Sequence, residues 1–117
     1  MKKTILGLMV GLSIANADLL TVSIEANEQM TWNEAKRYCA TVDNLSSFTV
    51  PNAKFMESLT DKDKAILKNG RYWLDEVGDY NDAKAYGVYP RYNVEIISVN
   101  RDTKLNVICV RKNEVPK

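Results

Sequence analysis

Apolar and polar positions alternate in several short stretches of the sequence, and each stretch predicts a β-strand. Residues 19–24 alternate in this way, which is the period-two pattern of a strand with one buried side. Residues 71–76 form a short aromatic run that we also interpret as a strand. Two β-branched runs at 94–99 and 105–110 are separated by the polar residues 100–104, which predicts a β-hairpin.

A helical period replaces the alternation from Thr31 onward. Trp32, Ala35 and Cys39 recur at spacings of three and four residues, so they share one face of a helix. Thr31 is a suitable N-cap, and Glu34 three residues later completes the pattern of a capping box. We therefore expect a helix that buries this face, with Trp32 in the core rather than in contact with a ligand.

Two shorter helical segments are predicted next. Thr49 is the expected N-cap of the second helix, with Pro51 in its first turn, where the missing N–H costs nothing. Thr60 is the expected N-cap of a third helix, which residues 69–70 end. The polar segment 78–91 predicts loops with at most one short strand. This order of elements predicts an α+β fold, with two or three short helices packed on a small twisted antiparallel sheet.

The first residues have the pattern of a secretory signal peptide. Residues 1–3 are basic at two positions, residues 4–14 are mostly apolar, and Ala15 and Ala17 form a small-x-small cleavage motif. A transmembrane anchor is the alternative, but the run is shorter than the roughly 20 apolar residues that span a bilayer. We expect cleavage after Ala17, a single domain at 18–117 with no transmembrane segment, and a periplasmic or secreted location.

Charge and composition exclude several classes of function. The chain carries 16 Lys and Arg against 15 Asp and Glu, and removal of Lys2 and Lys3 leaves it close to neutral, which argues against nucleic acid as a partner. It has no histidine, so it lacks the base of serine–histidine and cysteine–histidine hydrolases and the commonest metal ligand. We expect no enzymatic activity and no cofactor.

Cys39 and Cys109 are the only cysteines. In an exported chain, two distant cysteines favour a structural disulfide, which would stabilise a loop of this length by about 4 kcal/mol. Two buried free thiols are the alternative. A C-x-x-C redox motif is absent from the sequence.

Several of these segments resemble a known family. Residues 31–39, T-W-N-E-A-K-R-Y-C, are similar to the "t-W-x-x-A-x-x-y-C" helix of C-type-lectin-like domains, and in particular to the bacterial Lcl C-terminal domain family, which has no assigned function. Residues 107–111, V-I-C-V-R, resemble that family's "v-r-C-V-R" ending. Residues 48–55 keep the proline and spacing of its "W-R-L-P-T-x-x-E-L" segment but lack the Trp-Arg pair. Residues 72–75 fit its "y-W-t-S" strand loosely.

The resemblance implies a C-type-lectin-like fold whose first helix is joined to its sheet by a Cys39–Cys109 disulfide. It also implies a long-loop face that binds sugars, glycosaminoglycans or proteins. The calcium-dependent sugar site of the fold uses Glu-Pro-Asn or Gln-Pro-Asp and then Trp-Asn-Asp, and none of these triplets occurs here. The oxidases of this fold need reactive cysteines, and none remains once both cysteines form the disulfide.

The segment after the aromatic strand holds the candidate site residues. Its acidic residues could ligate a hard cation, although a solvated acidic loop fits their spacing better. Its tyrosines could stack on a sugar or enter a protein interface, or could cover a thin core. Four basic residues near the end of the chain, Arg101, Lys104, Arg111 and Lys112, form a possible basic patch or a solvated strand end. We predict ligand contacts at Asp75, Glu76, Tyr80, Asp82, Lys84, Tyr86, Tyr89 and Arg91.

These features together predict an exported, non-catalytic binding module that recognises a protein or an anionic glycan through the long-loop face. The alternative is a structural or accessory subunit of a cell-envelope or surface assembly. The two hypotheses differ in whether binding depends on the tyrosines of that face. The oligomeric state stays open at this point.

Overall fold

The computed structural model describes residues 19–88 and 94–116. The predicted signal peptide lies outside these residues. The helices are α1 (Leu19–Val22), α2 (Trp32–Thr41), α3 (Ala53–Glu57) and α4 (Asp61–Ala65), and a 3-10 turn covers Lys112–Glu114. The strands are β1 (Ser23–Glu25), β2 (Phe48–Thr49), β3 (Gly70–Val77), β4 (Asp82–Val88), β5 (Val94–Asn100) and β6 (Ile108–Arg111).

The strands form two antiparallel sheets. The first has the order β1-β6-β2 and the second the order β3-β4-β5. The predicted hairpin of β5 with β6 is wrong, because β5 pairs with β4 whereas β6 pairs with β1 and β2. Two isolated bridges follow in the segment between β5 and β6. Leu105 forms a bridge with Met30, and Asn106 forms a bridge with Tyr72 of β3. The α+β class with short helices on small antiparallel sheets is confirmed.

A disulfide joins α2 to the middle strand of the first sheet. Cys39 and Cys109 are bonded with a Cα–Cα distance of 5.3 Å, and neither cysteine is a free thiol. Cys109 also pairs with Ile24 of β1. The bond therefore ties α2 to β6, which is itself paired with β1.

The capping box of α2 forms as its sequence predicts. The Thr31 hydroxyl accepts a hydrogen bond from the Glu34 N–H, and the Glu34 carboxylate accepts one of 2.9 Å from the Thr31 N–H. These hydrogen bonds, chiefly that from the Thr31 backbone, lower the pKa of Glu34. Trp32, Ala35 and Cys39 are buried on one face, so local capping and periodicity agree with the packing.

Thr31→Ala is expected to lower the free energy of unfolding by about 1 kcal/mol, because the Glu34 N–H loses the hydroxyl that accepts its hydrogen bond. Urea denaturation measures the change. Thr41→Ala is the matched control at the other end of α2, where the hydroxyl donates to the exposed Arg37 carbonyl and its loss should cost far less. Equal effects at the two ends would contradict the role of the box.

Two predicted boundaries need correction. The second helix begins after Asn52, whose side chain accepts from the Phe55 N–H, and not after Thr49, which pairs with Val110 as part of β2. The predicted strand at 19–24 is a helical turn followed by β1. Its first part is helical because Leu19 and Val22, three residues apart, both face the core, as one side of a helix does.

Two hydrophobic clusters form the core. The first surrounds Trp73 and the disulfide, and the second surrounds Tyr72 and Leu74. Adjacent residues of β3 therefore enter different clusters, because successive side chains of a strand point to opposite faces. The second sheet is covered on both sides around this point.

The segment predicted as a long polar loop is largely the strand β4. Ala83 and Ala85 belong to the first cluster, while Tyr86 and Val88 belong to the second. A turn at 78–81 is all that separates β3 from β4. The long-loop face implied by the family resemblance is thus replaced here by a tight hairpin.

Candidate functional site

Tyr86 is the clearest correction among the predicted ligand contacts. Its side chain is fully buried in the second cluster, opposite Tyr72 across the β3–β4 pair. Its hydroxyl has no hydrogen-bond partner within the described part of the chain. Burial, with a smaller effect of the Glu57 charge, raises the pKa of Tyr86. A side chain in this position cannot reach a ligand at the surface.

The two acidic residues at the end of β3 have different environments. Asp75 is exposed and forms an ion pair with Lys36 of α2, with 3.2 Å between Nζ and Oδ1. Glu76 is half-buried, and its carboxylate accepts a 2.7 Å hydrogen bond from the Ala53 N–H in the first turn of α3. Glu76 therefore holds a helix in place, and Asp75 is the more accessible of the two.

The remaining predicted contacts lie around the hairpin. Asp82 and Lys84 are half-buried at the start of β4. Tyr80 is fully exposed within the turn. Tyr89 and Arg91 lie outside the described residues.

The β3–β4 turn holds Tyr80 in a defined conformation. The Gly78 N–H donates to the Asp82 carbonyl and the Asp82 N–H donates to the Asp79 carbonyl, both at 2.9 Å. Tyr80 has a φ of 51°, in the left-handed region that a tyrosine rarely adopts. A Cβ at Gly78 would lie 2.9 Å from the Ser98 Oγ and 3.1 Å from the Asp82 Cβ, so any larger residue there would require these side chains to shift. The result is a short, strained turn that directs an aromatic side chain into solvent.

Arg101 fastens this turn to the beginning of α2. Its backbone N–H donates to the Asn81 carbonyl at 2.9 Å, and its Nε donates to the Asp82 carbonyl at 3.0 Å. The Arg101 carbonyl in turn accepts from the Trp32 N–H at 3.1 Å. Its guanidinium carbon lies 4.5 Å from the centre of the Trp32 ring, within range of a cation–π interaction. The turn is therefore held by side-chain as well as backbone contacts.

The Trp32 ring lies against two basic side chains, those of Lys36 and Arg101. It is buried, its indole N–H donates to the Leu74 carbonyl at 2.9 Å, and the Lys36 ammonium also lies 4.5 Å from its ring. Lys36 and Arg101 thus both lie over the Trp32 ring, and Asp75 is paired with Lys36. Sequence reasoning places Trp32 in the core correctly, but nothing in the sequence pairs it with Arg101, because the two are distant along the chain.

These contacts define a candidate site at one end of the molecule. This site, the turn surface, consists of five residues: Lys36, Asp75, Val77, Tyr80 and Arg101. Its apolar part is Tyr80 with Val77, whose side chain is 63% exposed. Val77 was missed at the sequence level because its neighbours are polar and its exposure depends on the end of the β3–β4 pairing.

The two arginines of the predicted basic patch each lie over an aromatic ring. Arg101 contacts the Trp32 ring as described, and the Arg111 guanidinium carbon lies 5.1 Å from the centre of the Phe48 ring. In residues 19–88 and 94–116 there is no group of three or more side chains suited to hold a metal ion. Within the same residues, no helix is long and apolar enough to cross a membrane.

Comparison with known proteins supports the fold. No protein-family model matches this sequence, and no curated protein matches it either. Among solved structures, the chain is similar to EMS16, a C-type-lectin-like snake venom protein described as an antagonist of the collagen receptor integrin α2β1. The similarity covers 76% of this chain and 89% of that chain, with 12% sequence identity and a TM-score of 0.57.

At this level of identity the likeness is one of fold. The resemblance to the Lcl family remains a prediction from the sequence motifs. The order of strands and helices, the disulfide and the structural likeness agree, and the chain has a C-type-lectin-like fold.

Proposed function

We propose that this chain is an exported, non-catalytic binding module that recognises a protein through the turn surface. The observation that carries the proposal is the fully exposed Tyr80 on a turn that Arg101 fixes in place. Tyrosine and arginine are enriched at binding hot spots, and a turn whose backbone is already fixed loses less entropy on binding. Val77, at the end of β3 and three residues before Tyr80, is a second exposed apolar residue.

The charges around the turn favour a protein over an anionic glycan. Asp75, Asp79 and Asp82 lie among Lys36, Lys84 and Arg101, and the Lys36 ammonium is already paired with Asp75. A polyanion needs a surface with a clear excess of positive charge. A protein interface instead combines an apolar centre with a rim of both charges.

Export is part of the proposal. The disulfide between Cys39 and Cys109 is a type of bond that persists in oxidising compartments and is rare in the cytosol. This is consistent with the signal-peptide pattern of residues 1–17. Edman sequencing of the mature protein should start at Asp18.

The turn surface can be tested by site-specific photocrosslinking in cells that produce the protein natively. A photoreactive phenylalanine analogue replaces Tyr80 in one variant and Leu45 in the control variant. Leu45 is also an exposed apolar side chain, 78% accessible, but lies on the α2–β2 connection. A protein captured at position 80 and absent at position 45 would then be purified for binding measurements.

Tyr80→Asn is expected to weaken binding of that purified protein at least about tenfold, a loss of about 1.4 kcal/mol. Asparagine tolerates the left-handed backbone, so the variant removes the aromatic ring while keeping the turn. Leu45→Asn is the matched control and should leave the Kd unchanged. Isothermal titration calorimetry measures both. Equal affinity of wild type and Tyr80→Asn would overturn the proposal and favour an accessory subunit that binds elsewhere.

Heparin is the probe for the glycan alternative. The proposed function predicts no saturable heparin binding at physiological salt. Saturable binding that Arg101→Gln abolishes would assign the turn surface to an anionic glycan instead.

A further inference from the structure

The two edge strands of the second sheet, β3 and β5, differ in whether another segment covers them. At β3, the chain segment before β6 covers the outer edge: the Asn106 N–H donates to the Arg71 carbonyl at 3.0 Å, and the Asn106 carbonyl accepts from the Trp73 N–H at 3.2 Å. At the opposite edge, β5 pairs with β4, and no other strand of the described residues pairs with it. One side of β5 therefore offers its backbone to another strand.

The β5 edge lacks the features that usually prevent such pairing. Edge strands of soluble proteins commonly carry lysine, proline or a β-bulge. The segment Val94–Asn100 contains no lysine, arginine or proline. Its pairing with β4 is continuous over all seven residues, without a bulge. Its one charged residue is Glu95, near the start of the strand and 3.8 Å from the Arg71 guanidinium.

Apolar side chains accompany this backbone edge. Ile96 is 39% exposed on one face. Ile97 and Val99 are half-buried on the other face, where they pack against the first cluster. A neighbouring strand would satisfy the backbone groups and cover these side chains together, as occurs when strands are added to a sheet edge.

We propose that β5 pairs in antiparallel fashion with β5 of a second copy of this chain, centred on Ile97. The two three-stranded sheets then become one sheet of six strands. This is the register in which all seven residues of each strand find a partner. A second copy fits because it brings an equally long edge with the same backbone groups facing outward.

The side chains of β5 are self-complementary in this register. Ile97 faces its own counterpart on the two-fold axis, Ile96 faces Ser98, and Glu95 faces Val99. An isologous interface repeats every such pair twice, and none of these pairs joins like charges, which would be destabilising across strands. The β3–β4 turn lies beyond one end of β5, because Asp82 lies opposite Asn100 at the end of that strand. Antiparallel pairing then places the two turn surfaces at opposite ends of the joined sheet.

Sedimentation velocity of the mature protein, up to about 1 mM, tests the dimer. The wild type is expected to show a concentration-dependent shift from monomer to dimer. Two double variants place like charges on β5: Ile96→Glu with Ser98→Glu, and Ile96→Lys with Ser98→Lys. Position 96 faces position 98 of the partner, so each variant alone should associate at least about tenfold more weakly. An equimolar mixture of the two should recover association, because opposite charges then face each other.

Ile66→Glu is the matched control. Ile66 is exposed to a similar degree, 42%, but lies at the end of α4, so its substitution should not change the dimer. A wild type that stays monomeric over the whole concentration range would overturn the proposal. A dimer that persists in both double variants, or no recovery in their mixture, would equally overturn the β5 interface.

Hydrogen exchange of the wild type provides a test that needs no variant. Amide protection of residues 94–100 is expected to rise with protein concentration, while protection of the covered strand β3 should stay constant. Protection of residues 94–100 that does not depend on concentration would overturn the proposal even if the double variants failed to fold.

Discussion

Replacing both Cys39 and Cys109 by alanine is expected to lower the free energy of unfolding by at least about 4 kcal/mol, the contribution of the bond alone. The bond closes a segment with a sequence separation of 70 residues, and a loop of this length removes much of the freedom of the unfolded chain. Small domains are stable by only about 5–15 kcal/mol in total. Loss of the bond would therefore leave this domain marginally folded.

The packing around the bond adds to the expected effect. Both cysteines are fully buried in the first cluster, so the alanine variant also loses two sulfur atoms from the core. Wild-type protein kept under reducing conditions separates the two contributions, because it lacks the bond but keeps both sulfurs. Urea denaturation of the oxidised, reduced and doubly substituted forms gives the three free energies of unfolding.

The reduced wild type should fall between the other two forms and lie closer to the alanine variant. Its m-value should exceed that of the oxidised form, because an uncrosslinked unfolded chain exposes more surface. Oxidised and reduced proteins of equal stability would show that the bond does not stabilise the domain, and would also weaken the argument for an oxidising compartment.

The parts of the fold that sequence reasoning predicted correctly depend on local signals. The α2 helix is specified by a capping box and by an apolar face within the same ten residues, so no distant contact is needed to identify it. The disulfide follows from having two cysteines and a signal-peptide pattern. The helix is thus predicted from neighbouring residues, and the disulfide from the number of cysteines together with the signal-peptide pattern.

The errors occur where distant residues decide the structure. The strand β4 was missed because both of its faces are buried, one by the small Ala83 and Ala85 and the other by Tyr86 and Val88. The sequence of residues 83–88, which also contains Lys84 and Gly87, therefore lacks the alternation of apolar and polar residues that marks a half-buried strand. The hairpin of β5 and β6 was predicted from two β-branched runs and a turn, but each run has a different partner, and only tertiary pairing distinguishes these arrangements.

The candidate site shows the same division. The exposure of Tyr80 agrees with its polar neighbours in the sequence, and Asp75 is exposed as well; their contact with a ligand stays a prediction. Tyr86 has the same residue type but stands between Ala85 and Gly87, and in β4 its side chain points toward the core. The contacts of Arg101 with Trp32 and the turn carbonyls join three separate segments, and no local sequence pattern predicts contacts between residues so far apart in the chain.

Tyr72→Phe is expected to lower the free energy of unfolding by about 1–3 kcal/mol. The Tyr72 hydroxyl donates a 2.7 Å hydrogen bond to the Glu25 carboxylate and accepts one of 2.8 Å from the Lys68 N–H. Removing the oxygen leaves both groups without this partner in a partly buried place. The Lys68 ammonium, 3.8 Å from the Glu25 carboxylate and about half exposed, replaces little of that interaction.

Tyr86→Phe is the matched control on the adjacent strand. The two tyrosines face each other across the β3–β4 pair and both side chains are fully buried, but the Tyr86 hydroxyl has no partner in the described part of the chain. Its removal should be neutral within about 1 kcal/mol or stabilising, because a buried hydroxyl without a hydrogen bond is itself unfavourable. Equal losses in the two variants would show that the Glu25 link contributes nothing.

The two variants also differ in how stability depends on alkaline pH. Burial and the Glu25 carboxylate raise the pKa of Tyr72 above the ordinary tyrosine value of 10.0. A raised pKa in the folded state means that stability is complete below the unfolded pKa and falls as the pH rises above it. Wild-type stability should therefore decline above about pH 10. The pKa of Tyr86 is also raised, by burial with a smaller contribution from Glu57. Tyr72→Phe should nevertheless reduce the decline by more than Tyr86→Phe does. Urea titrations at pH 8 to 11 measure how steeply the stability of each variant falls with pH. A decline of the same steepness in wild type and Tyr72→Phe would show that Tyr72 is not the group that resists ionisation.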